Sequence, residues 1–171
     1  TTTQYLGIGL TLPTEALDVD GNIQNILHPE NTPVVGVTLP LTGGSLPSRI
    51  VVQGRYGYVL ASSTLNVIDL DSPLSPIQVG TAVFDDGADP QNIAIAGNYA
   101  FIANHGNATM AVVDISNPTF PLQVATTTFT AGSNPQSIVV NGKYAYVGHY
   151  ESTYLATVDI SNPLAPVQVA T

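Results

Sequence analysis

Three aspartates recur along this sequence at a fixed interval. Asp69, Asp114 and Asp159 are each 45 residues apart. One carboxylate from every unit of a repeating fold could form a ring of metal ligands. The same position, just before a Ser-Pro or Ser-Asn-Pro turn, also suits a carboxylate that accepts a hydrogen bond from a backbone N–H. Residues that follow a repeat usually serve its structure, so we interpret these aspartates as turn residues.

Two other acidic stretches have oxygen atoms spaced for a cation. Asp85, Asp86 and Asp89 share one loop between repeats, and we regard them as a weak candidate Ca²⁺ site. Residues 18–22 have the alternate spacing of a calcium loop, but they lack its Gly at the sixth position and its Glu at the twelfth. An Asp-Gly hairpin turn at 20–21 explains this second stretch better. Apart from Ca²⁺, the sequence predicts no cofactor.

The remaining residues that could do chemistry do not form a catalytic set. His105 and His149 fall in neighbouring units, and we interpret them as exposed loop residues. No HExxH, GxSxG, phosphate-binding or CxxC motif is present. Tyr150 and Tyr154 are additional to the repeat, which makes them the better aromatic candidates for contact with a ligand. We predict that the protein is not an enzyme.

The composition argues against some partners and favours one location. With 3 Lys and Arg against 12 Asp and Glu, the net charge of −9 leaves no basic patch for nucleic acid. No apolar run reaches the roughly 18 residues that a membrane-spanning helix needs. Only 9% of the residues are charged, Cys is absent, and Asn107 lies in a glycosylation sequon. These features favour an extracellular or cell-surface protein, and the first residue, Thr rather than Met, predicts a processed chain or an excised region.

One sequence motif occurs three times in this chain. VIDLDSPLSPIQV, VVDISNPTFPLQV and TVDISNPLAPVQV begin at residues 67, 112 and 157, and each is preceded by a Gly-x-Tyr stretch. Each unit contains four short predicted strands, which in the second full unit are 92–96, 99–104, 110–115 and 122–129. The turn at 97–98, Gly-Asn, suits a tight hairpin, and the Pro at 118 must end a strand.

The strands are apolar on both faces, which predicts that each small sheet packs between two neighbours. Four strands per unit and a period of about 45 residues are typical of a β-propeller, whereas the coils of a β-solenoid are shorter. We therefore predict an all-β fold, a β-propeller-like array of about four four-stranded units of 43–45 residues.

The third strand of the three full units reads LNVIDL, MAVVDI and LATVDI. With the residues around it, this strand resembles the LVIVD-type repeat family over residues 44–171. The resemblance implies a β-propeller fold and kinship with bacterial and archaeal proteins that are often secreted. It implies no catalytic residue.

We predict a single domain, 1–171, with units of about 1–43, 44–86, 87–131 and 132–171. The first unit is irregular. Residues 31–44 match the end of a unit, but the stretch before them lacks both the repeated Asp and the aromatic strand.

The two ends of the sequence have the pattern of β-strands that could pair with each other. The final strand of the last unit is short, while the N-terminal segment repeats the Thr run of 126–128 and then alternates like a strand. We predict that this segment pairs with the edge of the last unit, either in the same chain, closing a ring, or in another copy, growing a fibre. The predicted assembly strand contains Thr1, Thr2, Thr3, Gln4, Tyr5, Leu6, Ile8, Leu10 and Leu12, and the acceptor edge contains Val167, Val169 and Thr171.

Two functions stay open at this point. We favour a structural protein that assembles with copies of itself by strand exchange into a fibre or surface layer, because its very low charge leaves little repulsion between subunits. The alternative is a binding module that uses the rim of the propeller for a glycan, a protein or Ca²⁺.

Overall fold

The structure is a computed structural model of the chain. It describes residues 6–8, 17–19, 38–42, 46–85, 87–130, 133–150 and 152–171. The chain divides into two compact units, residues 1–36 and residues 37–171. Every regular element in the described residues is a β-strand, so the all-β prediction is confirmed there.

In the first compact unit, strands β1 (Leu6–Ile8) and β2 (Leu17–Val19) form a two-stranded parallel sheet. Leu6 lies opposite Leu17 in this pairing. The predicted hairpin turn at 20–21 and the rest of the predicted assembly strand lie outside the described residues.

The second compact unit contains three four-stranded antiparallel sheets, each built from consecutive strands. The first sheet has β3 (Pro47–Gln53), β4 (Tyr56–Ala61), β5 (Thr64–Asp69) and β6 (Ile77–Val83). The second has β7 (Pro90–Ala96), β8 (Tyr99–Asn104), β9 (Thr109–Asp114) and β10 (Leu122–Thr128). The third has β11 (Asn134–Asn141), β12 (Tyr144–Tyr150), β13 (Leu155–Asp159) and β14 (Val167–Ala170).

Tight turns at one repeated glycine join the first two strands of every sheet. Gly54, Gly97 and Gly142 have φ of +60°, +57° and +58°. Only a residue without a Cβ adopts this left-handed conformation at little cost, which is why the sequence repeats Gly there. The predicted turn at 97–98 is confirmed, and the four predicted strands of that unit agree with β7–β10 to within two residues.

The three sheets fan out from a shared inner side. The first strands pack on one another, β3 on β7 and β7 on β11, whereas the fourth strands β6 and β10 hardly touch. This arrangement is β-propeller-like, and we call the sheets the first, middle and last blade. The near face of a blade points toward the preceding blade, and the far face points toward the following one.

Two apolar cores fill the spaces between the blades, because alternate side chains of each strand point to opposite faces. The middle blade is buried on both faces, as predicted, and Phe101 and Met110 of its far face are among the largest fully buried side chains. Each such side chain stabilises the fold by about 1.5–3 kcal/mol. The first core contains Tyr58, Leu60, Leu65 and Val67 against Ile93, Ala100, Ile102, Ala111 and Val113. The second contains Phe101, Ala103, Met110 and Val112 against Ile138, Ala145, Val147, Ala156 and Val158.

Candidate functional site

The repeated aspartates are turn residues, as predicted. In each blade this Asp is the last residue of the third strand, and its carboxylate accepts a hydrogen bond from the backbone N–H two residues later, in the turn to the fourth strand. The three bonds join Asp71 N to Asp69 Oδ1 at 3.0 Å, Ser116 N to Asp114 Oδ1 at 2.8 Å, and Ser161 N to Asp159 Oδ1 at 2.9 Å.

Hydrogen bonds also hold the pKa of these carboxyls below its usual range. For Asp69 the main cause is its bond with the Arg55 guanidinium. For Asp114 the cause is hydrogen bonding from Ser116. The charged form is therefore the one that accepts the turn hydrogen bond in all three blades.

In the acidic loop between the first and middle blades, the two described carboxylates have separate partners. Asp85 Oδ2 accepts a bond from Gln123 Nε2 at 2.8 Å, whereas Asp89 Oδ2 lies 3.4 Å from His105 Nδ1. Asp86 lies outside the described residues. In the described part of the chain, no group of three or more His, Asp or Glu side chains is placed to hold a metal ion. Ca²⁺ binding at this loop stays a prediction.

His149 differs from its predicted environment. It lies in strand β12, where its ring is 4.9 Å from the Phe129 ring and 4.7 Å from the Tyr154 ring. This burial lowers the pKa of the imidazole. The interpretation of His149 as an exposed loop residue is therefore wrong. A step of 45 residues back leads to Asn104, a buried strand position, rather than to His105.

Several buried polar atoms belong to residues 149–154. Both ring nitrogens of His149, Ser152 Oγ and the Tyr154 hydroxyl form no hydrogen bond within the described residues. Tyr150, at the end of β12, is exposed. Of the two tyrosines proposed as ligand contacts, Tyr154 thus packs on the histidine and Tyr150 faces solvent.

The candidate glycosylation residue, Asn107, lies in the turn between β8 and β9. Its Oδ1 accepts a 2.6 Å hydrogen bond from Thr109 Oγ1, within its own sequon. The neighbouring Ala108 has φ of +53°, so the turn is tightly bent. Modification at Asn107 stays a prediction.

Residues 38–42 cover part of the near face of the first blade. Thr42 N–H donates to Gln78 Oε1 at 2.9 Å. The same two repeat positions are bonded in the next unit, where Gln123 donates to Asp85. Thr42 therefore holds the position relative to Gln78 that Asp85, just after β6, holds relative to Gln123. The predicted match of residues 31–44 to the end of a unit stays a prediction.

The rest of this near face is an open apolar groove of about 440 Å³. Ile50 is 60% exposed there, whereas its counterparts Ile93 and Ile138 are each 4% exposed inside the two cores. The apolar side chains that line the groove include Leu39, Leu41, Ile50, Val59, Ile68 and Leu70.

The far face of the last blade is the second open apolar surface. Leu155 is 53% exposed, whereas its counterparts Leu65 and Met110 are both 0% exposed. Val139 on β11 and Val169 on β14 are also exposed. Neither open face was predicted from the sequence; one repeat step relates Ile50 to Ile93 and Leu155 to Met110, but the step does not indicate exposure.

The predicted acceptor edge is the outermost strand of the last blade. Strand β14 has four residues, against seven in β6 and in β10, and like them it pairs within its sheet on one side only. Val167 is exposed at its start, and Thr171 follows its end. Pairing of the N-terminal segment with this edge stays a prediction.

The comparisons with known proteins agree with this architecture. The LVIVD repeat family matches at residues 47–82, 87–128 and 132–171. No curated protein matches the sequence. Within the described residues, no helix has the length and apolar character to cross a membrane.

Several solved structures share the fold. A protein from Lactobacillus plantarum superposes with a TM-score of 0.66 at 15% identity, over 74% of this chain and 41% of its own. A periplasmic gluconolactonase from Pseudomonas aeruginosa gives 0.64 at 14% identity, over 74% and 40%. A putative 6-phosphogluconolactonase from Bacteroides fragilis gives 0.63 at 15% identity, over 74% and 38%. The chain spans about two fifths of these structures, and at this identity the likeness extends to the fold alone.

Proposed function

Because this chain belongs to the LVIVD repeat family, we propose that it is a non-enzymatic structural protein that assembles with copies of itself, outside the cell or at its surface. The observation that carries the proposal is the pair of open apolar blade faces, marked by Ile50 and Leu155. Exposed apolar patches rimmed by polar residues are typical of surfaces that bind other proteins. The low content of charged residues, 9%, suits an extracellular setting.

The absence of catalysis is part of this proposal. Similarity of fold to lactonases carries no activity at 14–15% identity, since one fold supports many functions. The repeated carboxylates of this chain are engaged in turns. A lactone-hydrolysis assay of purified protein is expected to show no turnover above buffer, and turnover that survives repurification would contradict the proposal.

Self-association is tested by sedimentation velocity of the 171-residue chain across a range of concentrations, with electron microscopy of the same samples. We expect species larger than the monomer to grow with concentration, and to form fibres or layers at the highest concentrations. A chain that stays monomeric at every concentration would overturn the proposed function.

Exchange of the N-terminal strand is one route to such assembly. Deletion of Thr1–Leu12 would abolish polymers if this strand joins copies, and the matching peptide would then cap the free edge and hold the chain as a monomer. If the truncated chain assembles like the parent, strand exchange is not the route.

A binding module is the second candidate. The buried polar atoms of residues 149–154 that have no hydrogen-bond partner within the described residues favour it. Together with exposed Tyr150, they could contact a neutral glycan on the loop rim. A glycan screen on monomeric protein tests this function. A hit whose affinity falls in Tyr150→Ala would support it, whereas a hit that Tyr150→Ala binds equally well would place the glycan elsewhere.

A further inference from the structure

We propose that the chain cuts its own backbone in mildly acidic solution, at the peptide bond between Asp89 and Pro90. This bond joins the loop that follows the first blade to β7, the first strand of the middle blade. Each chain would cut itself once, which is not turnover. The inference is therefore independent of the proposed function and compatible with a protein that is not an enzyme.

The two residues at this bond have the groups that such a cut needs. Asp89 is the only Asp of the sequence that precedes a Pro. A carboxylate can act as a nucleophile, and that of Asp89 reaches the carbonyl carbon of its own residue through a five-membered ring. The nitrogen of Pro90 belongs to a tertiary amide and carries no hydrogen. It therefore leaves as a secondary amine, which is more basic than the primary amine that another residue would release.

His105 contacts both reacting groups of Asp89. Its backbone N–H donates a 2.8 Å hydrogen bond to the carbonyl oxygen of Asp89, which becomes negative when the carbonyl carbon is attacked. Its ring nitrogen Nδ1 lies 3.4 Å from Asp89 Oδ2. Strands β7 and β8 pair antiparallel with Pro90 opposite Asn104, so the residue before the one faces the residue after the other.

Two other titratable side chains belong to this part of the structure. His105 contacts the Asp89 carboxylate from the turn after β8, whereas Asp85, on the same loop as Asp89, accepts its hydrogen bond from Gln123. The side chains of Asp89 and His105 are 58% and 37% exposed. Water and protons therefore reach both partners.

The reaction balances with water as the only added reactant. One oxygen of the Asp89 carboxylate attacks the carbonyl carbon of the same residue and forms a C–O bond. The C–N bond to Pro90 breaks, the nitrogen leaves with the proton that the His105 imidazolium supplies, and a cyclic anhydride remains on Asp89. One water molecule opens the anhydride, which leaves two carboxylates and returns a proton to His105.

These steps need a charged carboxylate and a charged imidazole at the same time. A free Asp carboxyl is ionised above about pH 4, and a free imidazole is protonated below about pH 6.5. We therefore expect cleavage to be fastest between these values, with a decline toward neutral pH as the imidazole loses its proton.

The equivalent positions of the other two blades lack this combination. A proline stands at the start of the first strand in each blade, at positions 47, 90 and 135. The residues that precede these prolines are Leu46, Asp89 and Asn134. The residues that the strand register places opposite them are Ser62, His105 and Tyr150. Among the three blades, only the middle one thus joins an Asp–Pro bond to a facing histidine.

Incubation of the purified 171-residue chain at pH 5.5 and at pH 7.5 tests the proposal. Mass spectrometry should find fragments 1–89 and 90–171 accumulating at pH 5.5, and N-terminal sequencing should find Pro90 at the new end. Cutting should be about tenfold slower at pH 7.5, where only about a tenth of a free imidazole is protonated. A chain that stays intact at pH 5.5 would overturn the inference and leave the proposed function untouched.

The role of the fold is tested by the same incubation in concentrated urea. Asp–Pro bonds of unfolded chains are labile to acid, so the folded chain must cut faster than the unfolded one at one pH. We expect a difference of about a hundredfold at pH 5.5, the usual effect of one positioned hydrogen-bond donor on a developing oxyanion. Equal rates would mean that the bond is only acid-labile, which would contradict the proposal.

Two substitutions separate the roles of the two side chains. Asp89→Asn should abolish cutting at pH 5.5, because it removes the nucleophile. His105→Gln should slow cutting about a hundredfold and flatten its dependence on pH, because it keeps the backbone N–H but removes the proton donor. Both side chains are partly exposed, so the fold should survive, and circular dichroism checks this. A His105→Gln chain with the rate and pH profile of the parent would show that the imidazole takes no part.

The last blade offers a matched control within the same molecule. Asn134→Asp creates a second Asp–Pro bond at the equivalent position, with Tyr150 in place of a histidine opposite it. We expect this variant to cut after Asp89 about a hundredfold faster than after position 134. Equal cutting at the two bonds would show that the histidine and its contacts do not promote the reaction, and would overturn the proposal.

Discussion

The middle blade and the last blade are built from the same repeat but have different surroundings. Met110 and Leu155 occupy one repeat position, yet the first is fully buried and the second is more than half exposed. At two other positions of this face the last blade has a smaller or more polar residue. Gly148 stands in place of Ala103, and Thr157 in place of Val112. The repeat therefore sets the path of the backbone, whereas the presence of a neighbouring blade decides what each side chain contributes.

The first blade shows the same tendency on its near face. Asn66 replaces Ala111, and Gly57 replaces Ala100, while Ile50 keeps the bulk of Ile93. Both outer faces are thus less apolar than the internal ones but retain one large aliphatic side chain over half exposed. This partial change is the physical basis for treating them as contact surfaces.

The largest expected effect concerns Met110 and Leu155, the two equivalent residues compared above. Met110→Ala removes a side chain from a closed core and should lower the free energy of unfolding by about 2–5 kcal/mol. Leu155→Ala makes the same kind of change on the open face and should cost about 0.5 kcal/mol or less in the monomer. Urea unfolding at a concentration where the chain is monomeric measures both. Equal losses would mean that the far face of the last blade is covered within the chain.

The second effect concerns how closely the blades pack at the two internal interfaces. Gly80 on β6 packs so closely on the turn of the middle blade that a Cβ would overlap the carbonyl oxygen of Pro118 and lie 2.8 Å from Cδ of Pro121. Gly80→Ala should therefore destabilise the fold by about 1–3 kcal/mol. The counterpart in the next interface is Ala125, which already carries the methyl group.

The reverse change provides the control. Ala125→Gly should cost only about 0.5–1 kcal/mol, because it adds backbone freedom to the unfolded chain without relieving a clash. Thermal unfolding of the two variants separates the effects. A Gly80→Ala protein as stable as the parent would show that the two blades can move apart to accept the methyl group.

The fold could be predicted from the sequence because its signals are local and repeated. The left-handed Gly97 and the carboxylate of Asp114 act within a few residues, so their spacing marks turns directly. Period-two apolar strands then require neighbours on both faces, which predicts blades. Each signal occurs three times, and agreement among the copies separates it from chance.

The surroundings of individual side chains could not be predicted in this way. His149 contacts Phe129, which belongs to another blade, so its burial depends on how two blades pack. The exposure of Ile50 and Leu155 depends on what covers the ends of the array, and a repeat does not encode that. Prediction therefore failed where a residue's role depends on a neighbour outside its own unit.

A smaller effect concerns the turn that all blades share. Asp114→Ala removes the acceptor of the Ser116 N–H bond, and we expect a loss of about 0.5–1.5 kcal/mol. Asp114→Asn keeps an acceptor oxygen and should lose less. The folded pKa of Asp114 lies below its usual 3.8, so its contribution is present above that value and is lost as the pH falls through the folded pKa. Unfolding curves at pH 7 and pH 3 should differ more for the parent than for Asp114→Ala, and an equal difference would contradict this role.

The smallest expected effect is a pH dependence of stability that arises in the last blade and not at the equivalent position of the middle blade. His149 and Asn104 share a repeat position, and only the histidine can gain a proton. Burial against Phe129 and Tyr154 lowers the pKa of His149 below its ordinary 6.5, because the imidazolium would lose its hydration there. Between the two pKa values the unfolded chain binds more protons than the folded one, so stability falls as the pH is lowered through about 6.5.

Replacing His149 by Phe keeps a ring between Phe129 and Tyr154 and removes this titration. The melting temperature of the parent should therefore decline more steeply between pH 7.5 and pH 5.5 than that of His149→Phe. Which of the two proteins has the higher melting temperature at pH 7.5 does not bear on this test. Hydrogen exchange adds a local measurement, since protection of the β12 amides should weaken toward pH 5.5 in the parent while that of the β8 amides, which flank Asn104, should not. Parallel pH profiles for parent and variant, or equal weakening of β8 and β12, would show that protonation of His149 is not coupled to the packing of the last blade on the middle one.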